Sequence, residues 1–234
     1  MHTEASFQPT QNALFFSPDA MEGSSPIGMV ITGGRGPTAE RLRALGAQAV
    51  RIVAADSGLE RALECGVEPD EVVGDMDSLR EVGLLDRFPP ERVRSFPKDK
   101  DDTDTEIALS MLYDAGFDSV VLAGGGGGRL DHLIGILSLF HRERHPTLWI
   151  TAENEVTAVD DVLERSDLSG YTVSFFPVGP SQCRMRSEGL KWPLDGLVWG
   201  PGDVGISNEV VGDVLKVRMI SGRLIMVRSV EVDR

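Results

Sequence analysis

The densest group of chemically competent residues is the acidic stretch Lys98-Asp99-Lys100-Asp101-Asp102-Thr103-Asp104-Thr105-Glu106. Its five carboxylates would repel one another in water and leave an ordinary loop loose. The spacing of Thr103 and Glu106 predicts a capping box that starts a helix, because each side chain can satisfy a backbone amide of the other. Carboxylates fixed at a helix start could hold a hard cation. A solvated acidic loop is the alternative interpretation.

Two more acidic turns precede this stretch, Asp56-Ser57-Gly58 and Gly74-Asp75-Met76-Asp77-Ser78. Asp75 and Asp77 are two residues apart, so they share a face if the backbone there is extended. Paired carboxylates could bind Mg²⁺ or accept a proton. The alternative is that one of them caps a helix that begins near Ser78.

A run of five glycines, Gly124 to Gly128, is followed by Arg129, Asp131 and His132. Glycines before a helix can hold phosphate, because backbone N–H groups approach closely and the helix start carries partial positive charge. Arg129 adds a guanidinium group that suits phosphate oxygens. The Gly-Lys-Ser/Thr ending of a Walker A motif is absent. The alternative is a flexible loop.

Each of these polar groups comes shortly after an apolar run that predicts a strand. Helical patterns separate the runs, and this alternation predicts an α/β domain with a parallel sheet covered on both faces. Ligands bind such sheets beyond the carboxyl ends of the strands. The acidic turns and the glycine run should therefore meet at one edge. The predicted strands cover residues 27–32, 49–55, 72–73, 92–96, 119–123 and 147–150.

After about residue 160 the pattern changes to short, partly alternating runs separated by glycine and proline. These runs predict a small antiparallel β-sandwich, with a hairpin at Ser221-Gly222. Trp192 could stack on a flat ligand or pack between the two domains. Ser207-Asn208 is either a plain turn or a contact for a ligand amine. The predicted division is a tail at 1–25, an α/β domain at 26–160 and a β-sandwich at 161–234.

Composition limits the function classes. The formal net charge of −14 over 234 residues disfavours binding to a nucleic-acid backbone. No apolar run reaches the ~18 residues that a membrane-spanning helix needs. The two cysteines, Cys65 and Cys183, show no metal-binding spacing and favour a reducing compartment. Residues 1–26 lack the pattern of a secretory signal, so we expect a cytoplasmic protein.

Six short motifs follow one another along the chain: Asp56-Ser57-Gly58, Gly74-Asp75-Met76-Asp77-Ser78, Asp101-Asp102-Thr103-Asp104, Gly127-Gly128-Arg129-Leu130-Asp131-His132, Gly189-Leu190-Lys191-Trp192-Pro193-Leu194 and Ser207-Asn208-Glu209. In order and spacing they resemble those of the thiamine pyrophosphokinase family. The resemblance implies an α/β nucleotide domain followed by a β-sandwich, assembled as a homodimer. It also implies transfer of a diphosphate from ATP to the hydroxyl of thiamine, with release of AMP and with Mg²⁺ as the metal.

The resemblance also implies roles for single residues. Asp75, Asp77 and Asp104 would bind Mg²⁺ and the triphosphate, with Asp56 and Asp101 beside them as further catalytic carboxylates. The nucleotide phosphates would contact Gly127, Gly128, Arg129, Asp131 and Thr103. Thiamine would stack on Trp192 in a pocket formed with Lys191, Ser207 and Asn208. Lys100 occupies a place that in this family reaches the thiamine of the partner subunit, so the thiamine site is expected at the dimer interface.

Two other functions fit the same residues. One is a diphosphokinase that acts on a pterin-like alcohol, on which Trp192 could equally stack. The other is a noncatalytic thiamine-binding protein, which would have little need of so many carboxylates. For an enzyme, Asp104 or Asp77 is the predicted acceptor of the hydroxyl proton, and Asp77→Asn is expected to abolish turnover.

Overall fold

The computed structural model describes residues 25–230, so the predicted N-terminal tail lies outside the described residues except for its last position. Two sheets and four α-helices make up this part of the chain. The elements in chain order are β1 Ile27–Thr32, α1 Ala39–Gly46, β2 Arg51–Ala55, α2 Gly58–Glu64, β3 Glu71–Gly74, two 3₁₀ helices Val82–Arg87 and Pro90–Arg92, β4 Val93–Ser95, α3 Asp104–Asp114, β5 Ser119–Ala123, α4 Leu130–Leu139, β6 Leu148–Ile150, β7 Asn154–Val159, β8 Val162–Arg165, β9 Thr172–Val178, β10 Cys183–Glu188, β11 Val198–Trp199, β12 Gly205–Glu209, β13 Leu215–Ser221 and β14 Arg223–Ser229.

The larger sheet has ten strands in the order β12-β9-β14-β7-β6-β5-β1-β2-β3-β4. One part of this sheet consists of β6, β5, β1, β2, β3 and β4, which pair with one another in parallel. Strands β7, β14, β9 and β12 continue the same sheet with antiparallel pairing. The predicted α/β fold with a parallel sheet and an antiparallel β-sandwich is confirmed.

Helices cover both faces of the parallel part of the sheet. Successive side chains of its strands therefore pack against helices on opposite faces. Val30 and Leu122 point to the face that α3 and α4 cover, where they meet Leu112. Met29 and Ile31 point to the opposite face, where α1 and α2 pack. Because successive side chains of a strand point to opposite faces, a strand buried on both sides is apolar throughout. This explains the continuous apolar runs in the sequence.

The second sheet has four strands in the order β11-β10-β13-β8 and packs against the antiparallel end of the large sheet. Phe175 on β9 and Met185 on β10 meet in this second core and are fully buried. One layer of the sandwich is thus an extension of the main sheet. The ten-stranded sheet contains strands from before and after residue 160. The predicted domain boundary at residue 160 stays a prediction.

The predicted hairpin at Ser221-Gly222 is wrong. Strand β13 pairs with β10 and β8, whereas β14 pairs with β7 and β9, so this connection carries the chain from one sheet to the other. Gly222 has a φ of 72°, and a Cβ there would lie 2.7 Å from the carbonyl oxygen of Gln182. The tight crossing therefore needs glycine.

The helix predicted after the glycine run is α4, but its apolar stripe is not buried. Leu130, Ile134 and Leu137 are 67%, 54% and 36% exposed, while Ile136 and Leu139 make the contact with the sheet. A contiguous exposed apolar face of this kind is typical of an interaction surface. Among the described residues, no helix is long and apolar enough to cross a membrane.

Candidate active site

Three carboxylates from different parts of the chain converge beyond the carboxyl ends of the central strands. Asp56 directly follows β2, Asp75 directly follows β3, and Asp104 is the first residue of α3. One oxygen from each lies within 4.8 Å of the other two. The prediction that separate acidic turns meet at one edge of the sheet therefore agrees with the geometry.

The backbone around Asp56 is shaped to aim its carboxylate. Asp56 and Met76 both have positive φ angles, 47° and 62°, which non-glycine residues adopt rarely. The Met76 amide donates to Asp56 Oδ1 over 3.3 Å. A Cβ on Gly74 would lie 2.0 Å from the same Asp56 oxygen. Position 74 therefore has to be glycine, because any side chain there would occupy the space of the Asp56 carboxylate.

The start of α3 fixes Asp104. The predicted capping box is confirmed: Thr103 Oγ1 accepts from the Glu106 amide, and Glu106 Oε2 accepts from the Thr103 amide over 2.8 Å. At the second residue of the helix, the Thr105 hydroxyl is 2.8 Å from that of Thr32 at the end of β1. The helix start is thereby tied to the sheet edge, and the Thr103 hydroxyl serves the cap.

The cluster is electrostatically strained. Burial raises the pKa of Asp56 to about 7, and the hydrogen bond and negative charge of Asp104 add to the increase. Within residues 25–230, Asp104 Oδ1 is buried and has no hydrogen-bond partner. The ammonium of Lys100 is 3.1 Å from that oxygen, an ion pair without hydrogen-bond geometry. Clustered carboxylate oxygens, one of them unsatisfied, fit the ligand chemistry of Mg²⁺.

The structure does not bring Asp77 or Asp101 into this cluster. The Asp77 side chain is 48% exposed and forms an ion pair with Lys98, and the hydrogen bond from Lys98 lowers the pKa of Asp77. Its backbone amide donates to Asp75 Oδ1 over 3.0 Å, so Asp77 supports the turn. Asp101 is exposed on the preceding loop. Asp56 lies with Asp75 and Asp104 in the cluster, and the metal-binding role that the resemblance implies for Asp77 stays a prediction.

The glycine run is a structured loop. The Gly124 amide donates to Ile150 and the Gly125 amide to Gly33, and Gly126 exchanges two hydrogen bonds with Arg35. Within the described part of the chain, the amides of Gly127 and Gly128 donate to no other backbone group. These two amides precede α4 and are the ones available to a phosphate.

Arg129 and Asp131 pair with each other at the exposed start of α4. Arg129 Nε and Nη2 donate to the two Asp131 oxygens over 2.9 and 2.6 Å. This pairing lowers the pKa of Asp131 and raises that of Arg129. A phosphate that binds Arg129 must therefore compete with Asp131, which orients the guanidinium group.

A cleft of about 890 Å³ opens beside the glycine loop. Its rim includes Gly127 and Gly128, and its walls come from α4, from β6, β7, β9 and β14, and from residues 201–204. No local sequence pattern predicts this cleft, because its walls combine strands from both halves of the chain. The apolar residues Leu133, Trp149, Val156 and Ile225 contribute to its lining.

The predicted thiamine residues form a second group, on the sandwich. Trp192 is 53% exposed, and the Lys191 ammonium lies 4.7 Å from the centroid of its ring. The buried Asn208 side chain accepts from the Trp192 amide over 3.2 Å and donates to the Trp192 carbonyl over 2.7 Å. Asn208 therefore holds the Trp192 backbone. Ser207 is exposed in a bulge with a φ of 59°.

The two groups are far apart within one chain. Asn208 is on β12, at one edge of the ten-stranded sheet, and Asp56 follows β2. Seven strand-to-strand steps separate β12 from β2 in the sheet order. At about 4.8 Å a step, the distance along the sheet is about 34 Å.

The fold and the site define a class: an α/β protein with clustered carboxylates and a glycine loop at the carboxyl ends of its strands, joined to a β-sandwich. Two family models match this chain. The catalytic domain of thiamin pyrophosphokinase matches residues 42–152, and the vitamin B1 binding domain of thiamin pyrophosphokinase matches residues 161–224. The chain belongs to the thiamine pyrophosphokinase family.

Individual relatives agree with the family models. Thiamine pyrophosphokinase of Bacillus subtilis is 26% identical over 188 residues, which cover 76% of this chain and 87% of the relative. The solved thiamin pyrophosphokinase of Geobacillus thermodenitrificans is 29% identical, with a TM-score of 0.71 over 88% of this chain and 99% of its own. The solved Bacillus subtilis structure is 25% identical, with a TM-score of 0.74 over 88% of this chain and 100% of its own.

Proposed function

We propose that this protein catalyses the ATP-dependent diphosphorylation of thiamine, with Mg²⁺ as the metal and AMP as the second product. The observation that carries the proposal is the convergence of Asp56, Asp75 and Asp104 within 4.8 Å at the carboxyl edge of the sheet. Diphosphoryl transfer depends on charge neutralisation and in-line placement more than on covalent catalysis. The membership of the chain in the family supports thiamine as the acceptor.

Asp56, Asp75 and Asp104 would hold the metal ion. When bound, Mg²⁺ neutralises polyphosphate charge and orients the phosphates for displacement. The chain itself contributes position: the capping box fixes Asp104, and the glycine at 74 leaves room for Asp56. Asp104 or Asp77 remains the predicted acceptor of the hydroxyl proton. Asp101 remains a predicted neighbour of the site.

The nucleotide would bind between the cluster and the glycine loop. The amides of Gly127 and Gly128 and the side chain of Arg129 would contact its phosphates, with Asp131 orienting Arg129. Thr103 would act through the start of α3, because its hydroxyl is used in the cap. The adjacent cleft offers an apolar wall for the rest of the nucleotide or for a partner chain.

The thiamine site would be completed by a second copy of the chain. Asn208, which belongs to the group with Trp192, Lys191 and Ser207, lies about 34 Å along the sheet from the metal cluster. Phosphoryl transfer needs the reacting atoms in contact. The exposed stripe of Leu130, Ile134 and Leu137 supplies an apolar surface for association. A homodimer that joins the cluster of one protomer to the Trp192 group of the other satisfies both observations.

The products test the activity. The purified protein is incubated with ATP and Mg²⁺, with thiamine, with a hydroxymethylpterin or with no acceptor, and AMP and the diphosphorylated acceptor are quantified. We expect AMP and thiamine diphosphate in equal amounts with thiamine only. AMP formation with the pterin would favour the other diphosphokinase, and tight thiamine binding without AMP would favour a noncatalytic binder.

Complementation between variants tests the shared site. Asp104→Asn removes the metal cluster and Trp192→Ala removes the thiamine group, so each variant alone should be inactive. After the two are dissociated, mixed in equal amounts and reassociated, half the dimers are mixed and carry one intact site of two. The mixture should recover about one quarter of wild-type activity. A site contained in one chain would give no recovery.

The metal set is tested by comparing two aspartates of one turn. Asp75→Asn is expected to weaken Mn²⁺ binding at least about tenfold, because it removes a charged ligand from the cluster. Asp77→Asn should weaken Mn²⁺ binding less, since Asp77 is exposed and paired with Lys98. A larger effect for Asp77→Asn would place Asp77 among the ligands, as the resemblance implies.

We also propose a cytoplasmic location, which the two unpaired, buried cysteines support.

A further inference from the structure

Lys100 is less exposed to solvent than the other residues of its loop. The other residues between 97 and 102 are all exposed, yet the Lys100 side chain is only 15% exposed. It turns inward, and its ammonium donates to the carbonyl oxygen of Pro97 over 3.0 Å. A lysine normally keeps its ammonium in water, so this inward position requires a compensating charge.

That charge comes from two members of the carboxylate cluster. Lys100 Nζ is 3.1 Å from Asp104 Oδ1 and 4.0 Å from Asp75 Oδ2, and the two carboxylates are 14% and 13% exposed. Opposite charges at these distances interact strongly when they are partly buried. A divalent ion in the cluster would need the same oxygens, because hard cations take carboxylate oxygens as direct ligands. The ammonium and the metal ion would therefore compete.

Lys98, two residues earlier, provides a comparison. Its side chain is 78% exposed and pairs with Asp77, which is itself 48% exposed. Such an exposed pair is screened by solvent and contributes little. The loop thus carries one lysine on the surface and one within the cluster.

We propose that Lys100 is a displaceable counter-ion, which neutralises the carboxylate cluster until a metal ion takes its place. A free ion must push the ammonium away without offering it a new partner. An ion that arrives on a polyphosphate brings an anion that the released ammonium can pair with, since lysine binds phosphate as a point charge. Lys100 thereby favours the metal–nucleotide complex over the free ion. This last step rests on the proposed function, whereas the competition for the cluster does not.

The competition is measured with Mn²⁺ alone, which accepts the same oxygen ligands as Mg²⁺. Free Mn²⁺ is followed by its electron paramagnetic resonance signal while protein is titrated in at low ionic strength. Lys100→Met should bind Mn²⁺ at least about tenfold more tightly than the wild type, because a unit charge about 4 Å away no longer opposes the ion.

Two lysine variants serve as controls. Lys98→Met is the matched control in the same loop and should change the Mn²⁺ dissociation constant less than about twofold. Lys216→Met removes the same charge away from the cluster, since Lys216 pairs with Glu164 in the four-stranded sheet. It measures the effect of net charge alone on Mn²⁺ binding. Equal or weaker Mn²⁺ binding by Lys100→Met would overturn the proposal. So would an equal gain for Lys98→Met, which would indicate a general charge effect of the loop.

A second measurement uses the wild-type protein and does not depend on the folding of a variant. Lysines are acetylated briefly with a water-soluble reagent, and the modification at each position is read by mass spectrometry. Lys100 should react much more slowly than Lys98 without added ion, and saturating Mn²⁺ should accelerate its reaction severalfold while Lys98 stays unchanged. Continued protection of Lys100 at saturating Mn²⁺ would contradict displacement. Neither measurement needs turnover, so an inactive protein could still support the proposal.

Discussion

Asn208→Ala should destabilise the protein, although the resemblance assigns Asn208 to ligand binding. The residue is 6% exposed, and its amide makes two hydrogen bonds to the Trp192 backbone, of 2.7 and 3.2 Å. Each lost bond costs about 1 kcal/mol, and a buried backbone group left unpaired costs about 1–3 kcal/mol. Water can reach part of this segment, since Trp192 is 53% exposed. We therefore expect a loss of about 2–3 kcal/mol in the free energy of unfolding.

Urea unfolding measures this loss as a lower midpoint with an unchanged slope. The same variant should raise the KM for thiamine, because Trp192 is no longer held. Asn208→Asp keeps the acceptor but sets a carboxylate oxygen against the Trp192 carbonyl oxygen in a buried place, so its destabilisation should be at least as large. Ser207→Ala is the matched control: the neighbouring side chain is exposed, and its removal should change stability by less than about 0.5 kcal/mol. If Asn208→Ala raises KM at wild-type stability, the amide binds the ligand and the reasoning is refuted.

Two further substitutions test how the cluster is positioned. Gly74→Ala is expected to abolish Mn²⁺ binding, because its Cβ would lie 2.0 Å from Asp56 Oδ1 at a φ of 146°. Its matched control, Gly135→Ala in α4, has open space around the added Cβ and should raise the thermal midpoint, since alanine favours helix by about 1 kcal/mol over glycine. Wild-type Mn²⁺ binding by Gly74→Ala would contradict the steric account. Glu106→Ala should lower the free energy of unfolding by about 1 kcal/mol, because the capping box with Thr103 is lost; urea unfolding measures it, and unchanged stability would mean that the cap is dispensable.

Much of the carboxylate cluster could be predicted from the sequence, because the patterns that indicate it are local. A capping box needs only the spacing of Thr103 and Glu106, and a strand followed by an acidic turn shows within about ten residues. The rule that ligands bind at the carboxyl ends of parallel strands then brings these turns together. Asp75 and Asp104 were expected to share a site for these reasons, and they do share one edge of the sheet.

The remaining details depend on backbone conformations and on contacts between distant segments. The left-handed conformations at Asp56 and Met76 decide which carboxylates face one another, and no spacing rule forecasts them. The bonds from Asn208 to Trp192 join positions 16 residues apart, so a polar turn residue could equally have faced a ligand. The failed hairpin at Ser221-Gly222 has a similar cause, since a glycine turn fits a crossing between sheets as well as a return within one.

The unbroken ten-stranded sheet has a mechanical consequence. Strand β7 bonds to β6 on one side and to β14 on the other, so backbone hydrogen bonds run through the junction of the two halves in place of a hinge. Rigid-body closure of one half over the other would have to break these ladders, so any gating must come from loops or from a second protomer. Cutting the chain near residue 160 would also expose bare strand edges, and fragments expressed separately should aggregate unless they are produced together and can pair again.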